Sequence, residues 1–187
     1  MTDWSSLAWE TLERETAHTC SAFEVFTDWV RLPDGNEARF DFVREPPSAV
    51  VLGLNADDKA IVLQEYRHAV ERVALGLPGG SAEPDDDDMV ATAARELFEE
   101  AGYRAAMFQP LLVAEPANGL LDSVRHYFVA RGCRPAGEPD RDMDESIRVT
   151  TVPFSELFER VRRGDVRDER TVTAVLMYHA VMNEGTP

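Results

Sequence analysis

The segment that says most about the fold lies at residues 95–102 and reads Arg95-Glu96-Leu97-Phe98-Glu99-Glu100-Ala101-Gly102. Together with the residues before it, this segment predicts a helix, because apolar residues recur at helical spacing and form one continuous stripe. The members of that stripe are Val90, Ala93, Ala94, Leu97, Phe98 and Ala101. Gly102 stands where a glycine is favoured after a helix, so we expect the helix to span residues 89–101.

The polar side of this predicted helix carries three glutamates, Glu96, Glu99 and Glu100, spaced i, i+3 and i+4. Carboxylates at that spacing are neighbours on one face and repel each other. Hard oxygen ligands held together in this way suit Mg²⁺, or alternatively Mn²⁺. Arg95, four residues before Glu99, can also offset the repulsion. A solvated Glu-rich face is the other interpretation, because charged surface faces are common.

The residues just before the helix favour the metal interpretation. Gly79 and Gly80 end an apolar run, and glycines permit unusual backbone angles and close approach of a ligand. A backbone carbonyl of Gly79 or Gly80 can therefore join the carboxylates in holding a metal ion, whereas a plain turn is the alternative. The acidic run at residues 85–88 is expected to cap the helix and to complement its dipole.

Together these residues resemble the Nudix box, G-x5-E-x7-R-E-U-x-E-E-x-G-U, in which U is apolar. Residues 95–102 match its second half in full, and Tyr103 stands at the final apolar position. Counting back from Arg95, the family glutamate falls on Asp87 and the family glycine on Ser81. If Gly80 is the family glycine instead, this loop is one residue longer than the consensus, and the role of Asp87 stays open.

The resemblance implies an α/β (α+β) fold, the Nudix α/β/α sandwich, with a mixed sheet between helices. It implies that Glu96, Glu99 and Glu100 bind the metal with help from the Gly79 carbonyl, and that Arg95 orients the glutamates. The chemistry follows from charge, because Mg²⁺ neutralises phosphate oxygens and lowers the pKa of a bound water. Glu99, Glu100 and Arg95 are therefore expected to be essential to catalysis.

A wider resemblance extends to the ADP-ribose pyrophosphatases within this superfamily. It is carried by Gln64-Glu65-Tyr66-Arg67-His68 and by Leu77-Pro78-Gly79-Gly80. That subgroup usually has Glu-Leu-Pro-Ala-Gly before the box, whereas Gly76 and Gly79 replace the glutamate and the alanine here. Arg67 is expected to contact a substrate phosphate, and a surface salt bridge is its alternative role.

The same subgroup takes its general base from an acidic loop, which residues 144–149 resemble. Glu145 is the match, although Asp142 and Asp144 also qualify and some Nudix relatives use a glutamate of the box itself. A carboxylate there can position or deprotonate the attacking water. An ordinary surface loop is the alternative for this segment, because acidic residues occur throughout the chain.

The rest of the pattern predicts strands followed by helices. Strand-like stretches such as residues 23–31 flank a turn at 33–36, and two apolar strands flank a polar turn at 55–58. Further strands are expected at residues 111–114, 126–130 and 147–152, with helices at 155–163 and 169–182. We divide the chain into an N-terminal β region, 1–46, and a Nudix domain, 47–187. In the relatives the N-terminal region helps form a domain-swapped homodimer, so a homodimer is expected.

Composition limits the classes of partner. A formal net charge of -16 opposes binding to nucleic acid or to anionic membranes, while a local positive site can still bind a small anionic nucleotide. The two cysteines, Cys20 and Cys133, form no closely spaced pair, so neither a zinc site nor a disulfide framework is expected. With no signal-like or membrane-spanning run, we expect a cytoplasmic protein.

The leading hypothesis is therefore hydrolysis of ADP-ribose or a related nucleoside diphosphate sugar to a nucleoside monophosphate and a sugar phosphate. Another nucleotide diphosphate is the alternative within the enzyme class: a dinucleotide, a coenzyme A derivative or a nucleoside triphosphate. A catalytically silent Nudix domain that senses a nucleotide is a second alternative, and a purely structural acidic helix is a third. Substrate pockets lie in loops outside the box, so the motif does not choose between them.

Overall fold

The structure, a computed structural model, describes residues 5–140 and 146–183. Its contacts divide the chain into two units. The first comprises Met1–Pro46 together with Glu115–Val124, and the second comprises Pro47–Ala114 together with Arg125–Pro187. Nothing in the sequence pattern indicates that Glu115–Val124 joins the N-terminal unit. It does so because its short strand pairs in parallel with a strand of that unit.

The first unit contains a four-stranded sheet in the order β1-β2-β3-β9, preceded by a single 3-10 turn at Ser5–Leu7. Its strands are β1 (Glu10–Thr19), β2 (Glu24–Arg31), β3 (Glu37–Arg44) and β9 (Leu121–Asp122). The strand predicted near 23–31 and the turn after it are both confirmed. The turn closes with a hydrogen bond from the Gly35 N–H to the Leu32 carbonyl, 2.9 Å long.

The second unit contains a seven-stranded mixed sheet whose main path runs β11-β5-β4-β10-β7. Strand β6 pairs with β5, and β8 pairs with β10. The strands are β4 (Ser48–Asn55), β5 (Lys59–Arg67), β6 (Arg72–Gly76), β7 (Tyr103–Arg104), β8 (Met107–Ala114), β10 (Arg125–Pro135) and β11 (Ile147–Pro153). Strands β4 and β10 are parallel, whereas β4 and β5 form the predicted antiparallel hairpin.

Helices cover both faces of this sheet. Alternate residues of β4 point to opposite faces, so Val50 and Leu52 pack in one core and Ala49 and Val51 in the other. Helix α1 (Met89–Ala101) contributes to the second of these cores. Helices α2 (Phe154–Arg162) and α3 (Glu169–Asn183) contribute to the first. The α/β/α sandwich with a mixed sheet is thus confirmed, as are the three predicted helices.

The face that helix α1 turns to the core overlaps its predicted apolar stripe at Ala93, Leu97 and Ala101 but is shifted around the helix. Val90 and Ala94, which belong to that stripe, are exposed. The buried residues are instead Thr92, Ala93, Glu96, Leu97, Glu100 and Ala101. Two glutamates therefore face inward, and the reason lies in the glycine loop described below.

Strand β1 is the element that the sequence pattern least anticipates, because all of its ten residues are exposed and no apolar alternation marks it. Its extended conformation comes from antiparallel pairing with β2. Within the described residues, no helix combines the length and the apolar character that a membrane crossing requires.

Candidate active site

The glycine loop between β6 and α1 is held along β4 by backbone hydrogen bonds. The Val51 N–H donates to the Pro78 carbonyl and the Ala49 N–H to the Gly80 carbonyl, each at 2.9 Å. The Ala82 N–H then donates to the Pro47 carbonyl at 2.8 Å. The Gly80 carbonyl is therefore engaged in this ladder, whereas that of Gly79 points elsewhere.

Glu100 is seated on the glycine loop. Its Oε2 atom accepts a hydrogen bond of 2.8 Å from the Gly79 N–H, and only 5% of the residue is exposed. A buried carboxylate needs such a donor, because burial without one is costly. The contact fixes Glu100 against the end of the sheet.

Glu96 lies directly over Gly80 and is 8% exposed. A Cβ atom added to Gly80 would collide with Oε1 of Glu96 and come within 2.7 Å of Oε2. A side chain at position 80 would therefore displace the Glu96 carboxylate, and glycine lets α1 turn Glu96 and Glu100 inward. The predicted stripe was wrong for Val90 and Ala94, because the buried face includes Glu96 and Glu100 beside Ala93, Leu97 and Ala101.

Gly79 is also required by a close approach. A Cβ atom added there would collide with the carbonyl oxygen of Ala49 and lie 3.0 Å from the Val50 Cα. The alanine that the resembling subgroup has at this position would therefore not fit here unless β4 moved. The Gly79 carbonyl, predicted as a metal ligand, accepts a 3.3 Å hydrogen bond from Nη1 of Arg170.

Arg95 joins the carboxylates of the site. Its Nη1 atom lies 2.9 Å from Oε1 of Glu96 and 2.8 Å from Oε2 of Glu99. Its Nη2 atom donates to the Ser81 carbonyl at 2.8 Å. Burial lowers the pKa of Arg95, but hydrogen bonds to Asp86 and Glu99 outweigh it and raise the pKa above its ordinary value. Arg95 thus stays charged and holds Glu96 and Glu99 on one side of α1.

Asp86, rather than Asp87, is the acidic partner of Arg95. Its two carboxylate oxygens accept from Nε and Nη2 at 3.2 and 3.0 Å, and Oδ2 also accepts from the Thr92 hydroxyl at 2.9 Å. The hydrogen bond from Arg95 is the main reason why the pKa of Asp86 falls to about 2. Asp87 is exposed, and Asp88 caps α1 by accepting from the Val90 and Ala91 N–H groups.

A signal for Asp86 exists in the sequence. Counting forward from Gly80, G-x5 leads to Asp86, whereas counting back from Arg95 leads to Asp87. The extra residue of the loop therefore lies between Asp86 and Arg95. Aspartate is one methylene shorter than the family glutamate. The segment between Asp86 and Arg95, one residue longer than in the family, still brings the Asp86 carboxylate to the Arg95 guanidinium.

The described part of the site fits a divalent metal ion by the chemistry of its donors. Glu96 and Glu99 place oxygens against the same nitrogen of Arg95, and Glu100 lies on the Gly79 N–H. Hard oxygen donors of this kind are the ligands that Mg²⁺ and Mn²⁺ prefer. Within residues 5–140 and 146–183, however, no three His, Cys, Asp or Glu side chains are already grouped as a metal ion would hold them.

Arg67, the predicted phosphate ligand, pairs with Glu65, with 2.7 Å between Nη2 and Oε2. Burial raises the pKa of Glu65, and the charges of Arg67 and Arg170 act against that rise. Asp168 completes this group and accepts hydrogen bonds from the Thr171 N–H and hydroxyl at 2.9 and 2.6 Å. Sequence reasoning assigned no role to Arg170 or Asp168, because the chain separates them from the box by about 70 residues.

The three candidates for a general base, Asp142, Asp144 and Glu145, lie outside the described residues. Their assignment stays a prediction. The structure therefore brings together Gly79, Arg95 and the three box glutamates, and it places Arg67 beside Glu65 on β5.

Comparison with known proteins agrees with this geometry. A model of the NUDIX domain matches residues 44–175, which is more than half of the chain. An ADP-ribose pyrophosphatase of Mycobacterium tuberculosis is 30% identical over 173 residues, covering 92% of this chain and 84% of that protein. A GDP-mannose pyrophosphatase of Cronobacter sakazakii is 32% identical over 140 residues, covering 70% and 71%.

A solved structure described as an ADP compounds hydrolase superposes with a TM-score of 0.83 at 21% identity, covering 95% of this chain and 96% of its own. This likeness shows the fold. The family follows from the domain match and from the carboxylates that α1 presents to the glycine loop. The chain belongs to the NUDIX family.

Proposed function

We propose that the protein hydrolyses the diphosphate of ADP-ribose or of a related nucleoside diphosphate sugar, giving a nucleoside monophosphate and a sugar phosphate. Water attacks one phosphorus, and the bond from that phosphorus to the bridging oxygen breaks. The relatives named above are an ADP-ribose pyrophosphatase and a GDP-mannose pyrophosphatase, which share a nucleoside diphosphate sugar as substrate class. Their names support this class for the present chain.

One observation carries the proposal. Each of the three box glutamates of α1 has a fixed partner, because Arg95 holds Glu96 and Glu99 while the Gly79 N–H holds Glu100. Two of the three are buried, at 8% and 5% exposure, so they do not form an ordinary solvated face. A structural acidic helix would have no reason to bury carboxylates against a glycine backbone.

Nudix hydrolases generally require a divalent metal ion, and we propose Mg²⁺ here, with Mn²⁺ as the alternative. Glu96, Glu99 and Glu100 would hold it, with the Gly79 carbonyl as a further oxygen donor. When bound, such an ion neutralises phosphate oxygens and lowers the pKa of a bound water. The substrate is anionic, so this charge is needed in a chain with a net charge of -16.

The protein's own residues supply orientation. Arg95 reduces the repulsion between Glu96 and Glu99 and fixes the orientation of their carboxylates. Asp86 holds Arg95 through the other edge of the guanidinium. The Gly79 N–H holds one oxygen of Glu100 in place against the glycine loop. We assign the proton of the attacking water to a carboxylate of the 142–145 segment, with Glu145 as the first candidate.

The deciding experiment measures product formation from a panel of diphosphates with and without Mg²⁺, using the wild type and Glu100→Gln. The panel contains ADP-ribose, GDP-mannose, NADH, coenzyme A and the nucleoside triphosphates. We expect Mg²⁺-dependent cleavage of the nucleoside diphosphate sugars and a loss of at least 100-fold in kcat for Glu100→Gln. Glu159→Gln is the matched control, because Glu159 lies on α2 and pairs with Arg162.

Other outcomes would change the assignment. Cleavage of a dinucleotide, a coenzyme A derivative or a triphosphate would keep the enzyme and replace its substrate class. Ligand binding without turnover in Mg²⁺ or Mn²⁺ would favour the nucleotide-sensing alternative. Full activity in Glu100→Gln would refute the assignment of the box glutamates.

We further propose a homodimer in which the N-terminal unit contributes the interface. Strand β1 is an edge strand exposed along its whole length, and unpaired edges are sites of association. Exposed apolar side chains of the same unit include Leu7, Trp9, Leu12 and Trp29, with 62, 51, 39 and 48% exposure. Such groups mark interaction surfaces.

A cytoplasmic location is proposed because both cysteines are free.

A further inference from the structure

Arg170, at the start of α3, lies beside the glycine loop of the active site. Its Nη1 atom donates to the Gly79 carbonyl at 3.3 Å, and the N–H of the same glycine donates to Glu100 at 2.8 Å. Gly79 therefore bridges the guanidinium of Arg170 and the carboxylate of Glu100. The two residues are 91 positions apart in the chain, so the fold creates this proximity.

The hydrogen bonds of Arg170 are weak. The bond to Gly79 is 3.3 Å long and that from Nε to Oδ1 of Asp168 is 3.4 Å, both beyond the usual range for N–H···O bonds. Its Nη2 group donates no hydrogen bond to any described residue. An arginine has five N–H donors, so within residues 5–140 and 146–183 most of this capacity is unused.

Arg95 provides a contrast within the same site. It makes five hydrogen bonds of 3.2 Å or less to Ser81, Asp86, Glu96 and Glu99, and its side chain is 19% exposed. Arg170 is equally shielded, also at 19%, without comparable partners. A charged group that has lost most of its water and gained only long bonds is costly unless a ligand completes its contacts.

The surroundings indicate that the missing ligand is an anion. Arg170 and Arg67 both act on Glu65, so two guanidinium groups lie at one end of β5. Asp168 binds the Thr171 N–H and hydroxyl through Oδ2, at 2.9 and 2.6 Å, and meets Arg170 through Oδ1 at the longer distance of 3.4 Å. A planar guanidinium with a free edge matches the paired oxygens of a phosphate group.

We propose that Arg170 is a substrate-binding residue that grips a phosphate group of the diphosphate through its free Nη2 edge. This inference rests on the proposed function, because it places the diphosphate next to the box glutamates. In this role Arg170 binds the substrate from the start of α3, beside the glycine loop that also holds Glu100. Its bond to Gly79 also aligns the loop with the bound phosphate.

The test compares Arg170→Gln and Arg170→Lys with the wild type. Arg163→Gln is the matched control, because Arg163 is 59% exposed at the end of α2 and pairs with Asp165. We expect Arg170→Gln to raise KM for ADP-ribose, and Kd measured by calorimetry in EDTA, by about tenfold to a hundredfold. Its kcat should change less than about threefold, since ground-state binding is lost.

Arg170→Lys should lie between the wild type and Arg170→Gln, because it keeps the charge and loses the bidentate edge. It also keeps the test decisive if Arg170→Gln does not fold. An unchanged Kd and KM in Arg170→Gln would overturn the proposal. So would a fall in kcat with Kd unchanged, because that pattern indicates a role only in holding the loop.

A second experiment tests the role of Arg170 if the proposed hydrolase activity is absent. If the wild type cleaves no nucleoside diphosphate sugar, the same variants are compared for binding of inorganic pyrophosphate in EDTA. Weaker binding by Arg170→Gln than by the wild type and Arg163→Gln would uphold the anion site without that function. Equal affinity, or no pyrophosphate binding by the wild type, would overturn it.

Discussion

Arg95 is the residue on which the arrangement of the site depends. It makes five hydrogen bonds to four residues, and its positive charge fixes the carboxylates of Asp86, Glu96 and Glu99. Asp86 occupies the edge of the guanidinium that faces away from Glu96 and Glu99. Removing Asp86 therefore loosens Arg95 without touching a proposed metal ligand.

The first prediction concerns Asp86→Asn. It should lower the unfolding free energy at pH 7 by about 1–2 kcal/mol, because a charge-assisted pair in a partly buried position is replaced by weaker bonds. Urea unfolding checks this value. Asp87→Asn is the control, since the exposed Asp87 neighbours Asp86 and does not contact Arg95 in the structure.

The same variant predicts a pH dependence. The pKa of Asp86 is lowered from 3.8 to about 2, chiefly by the Arg95 hydrogen bond, so its stabilising contribution is present above the unfolded pKa. It is lost as the pH falls from the unfolded value through the folded one. The stabilities of wild type and Asp86→Asn should converge near pH 2. A constant difference between pH 7 and pH 2 would contradict this assignment.

For single residues, the sequence predicted which side chains form the site better than which residues they contact. The three glutamates and Arg95 were predicted because their spacing on a helix is regular. Asp86 was missed in favour of Asp87, because an inserted residue changes which carboxylate reaches a guanidinium. Gly79 could be placed in the loop, but the close Ala49 carbonyl that requires it belongs to another strand.

Helix α1 is positioned by its two ends as well as by its faces. Asp88 caps its first turn, and Gly102 ends it in the left-handed region with φ of 73°. The Gly102 N–H donates to the Phe98 carbonyl at 2.7 Å. Since Glu99 and Glu100 lie in the last turn, this ending fixes where the carboxylates lie.

The prediction at this scale compares Gly102→Ala with Gly164→Ala. Both glycines have positive φ, at 73° and 78°, so alanine carries the same conformational cost of about 1–2 kcal/mol. A Cβ at Gly102 would also lie 2.6 Å from the Gly137 carbonyl, whereas one at Gly164 meets nothing within 4 Å. Gly102→Ala should therefore lower the melting temperature further than Gly164→Ala. Equal shifts would show that the backbone near Gly137 yields freely.

Elements with a buried face were predictable, and those without one were not. Helix α2 buries Leu157 and Val161, four residues apart, and its pattern indicated a helix ending at Gly164. Strand β1 buries none of its residues, so only its pairing with β2 makes it a strand. The rotation of α1 was also not predicted, because an apolar stripe does not show that Glu96 and Glu100 are buried.

At the scale of the whole molecule, net charge and exposed apolar surface oppose each other. Each chain carries a formal charge of -16, so two copies repel at low salt. The exposed apolar side chains of the N-terminal unit favour association instead. The dimer that we propose should therefore tighten as salt screens the repulsion.

The last prediction tests that dimer by sedimentation equilibrium. The wild type should sediment at twice the chain mass of 20.9 kDa at micromolar concentration, and its dissociation constant should fall as salt rises. Leu12→Glu, on the exposed β1 strand, should weaken the dimer because it adds a charge to the apolar surface. Val113→Glu is the control, because Val113 is 59% exposed on β8 of the other unit. A wild type that stays monomeric at all salt concentrations would exclude the dimer. Equal dimerisation of Leu12→Glu and Val113→Glu would place the interface away from β1.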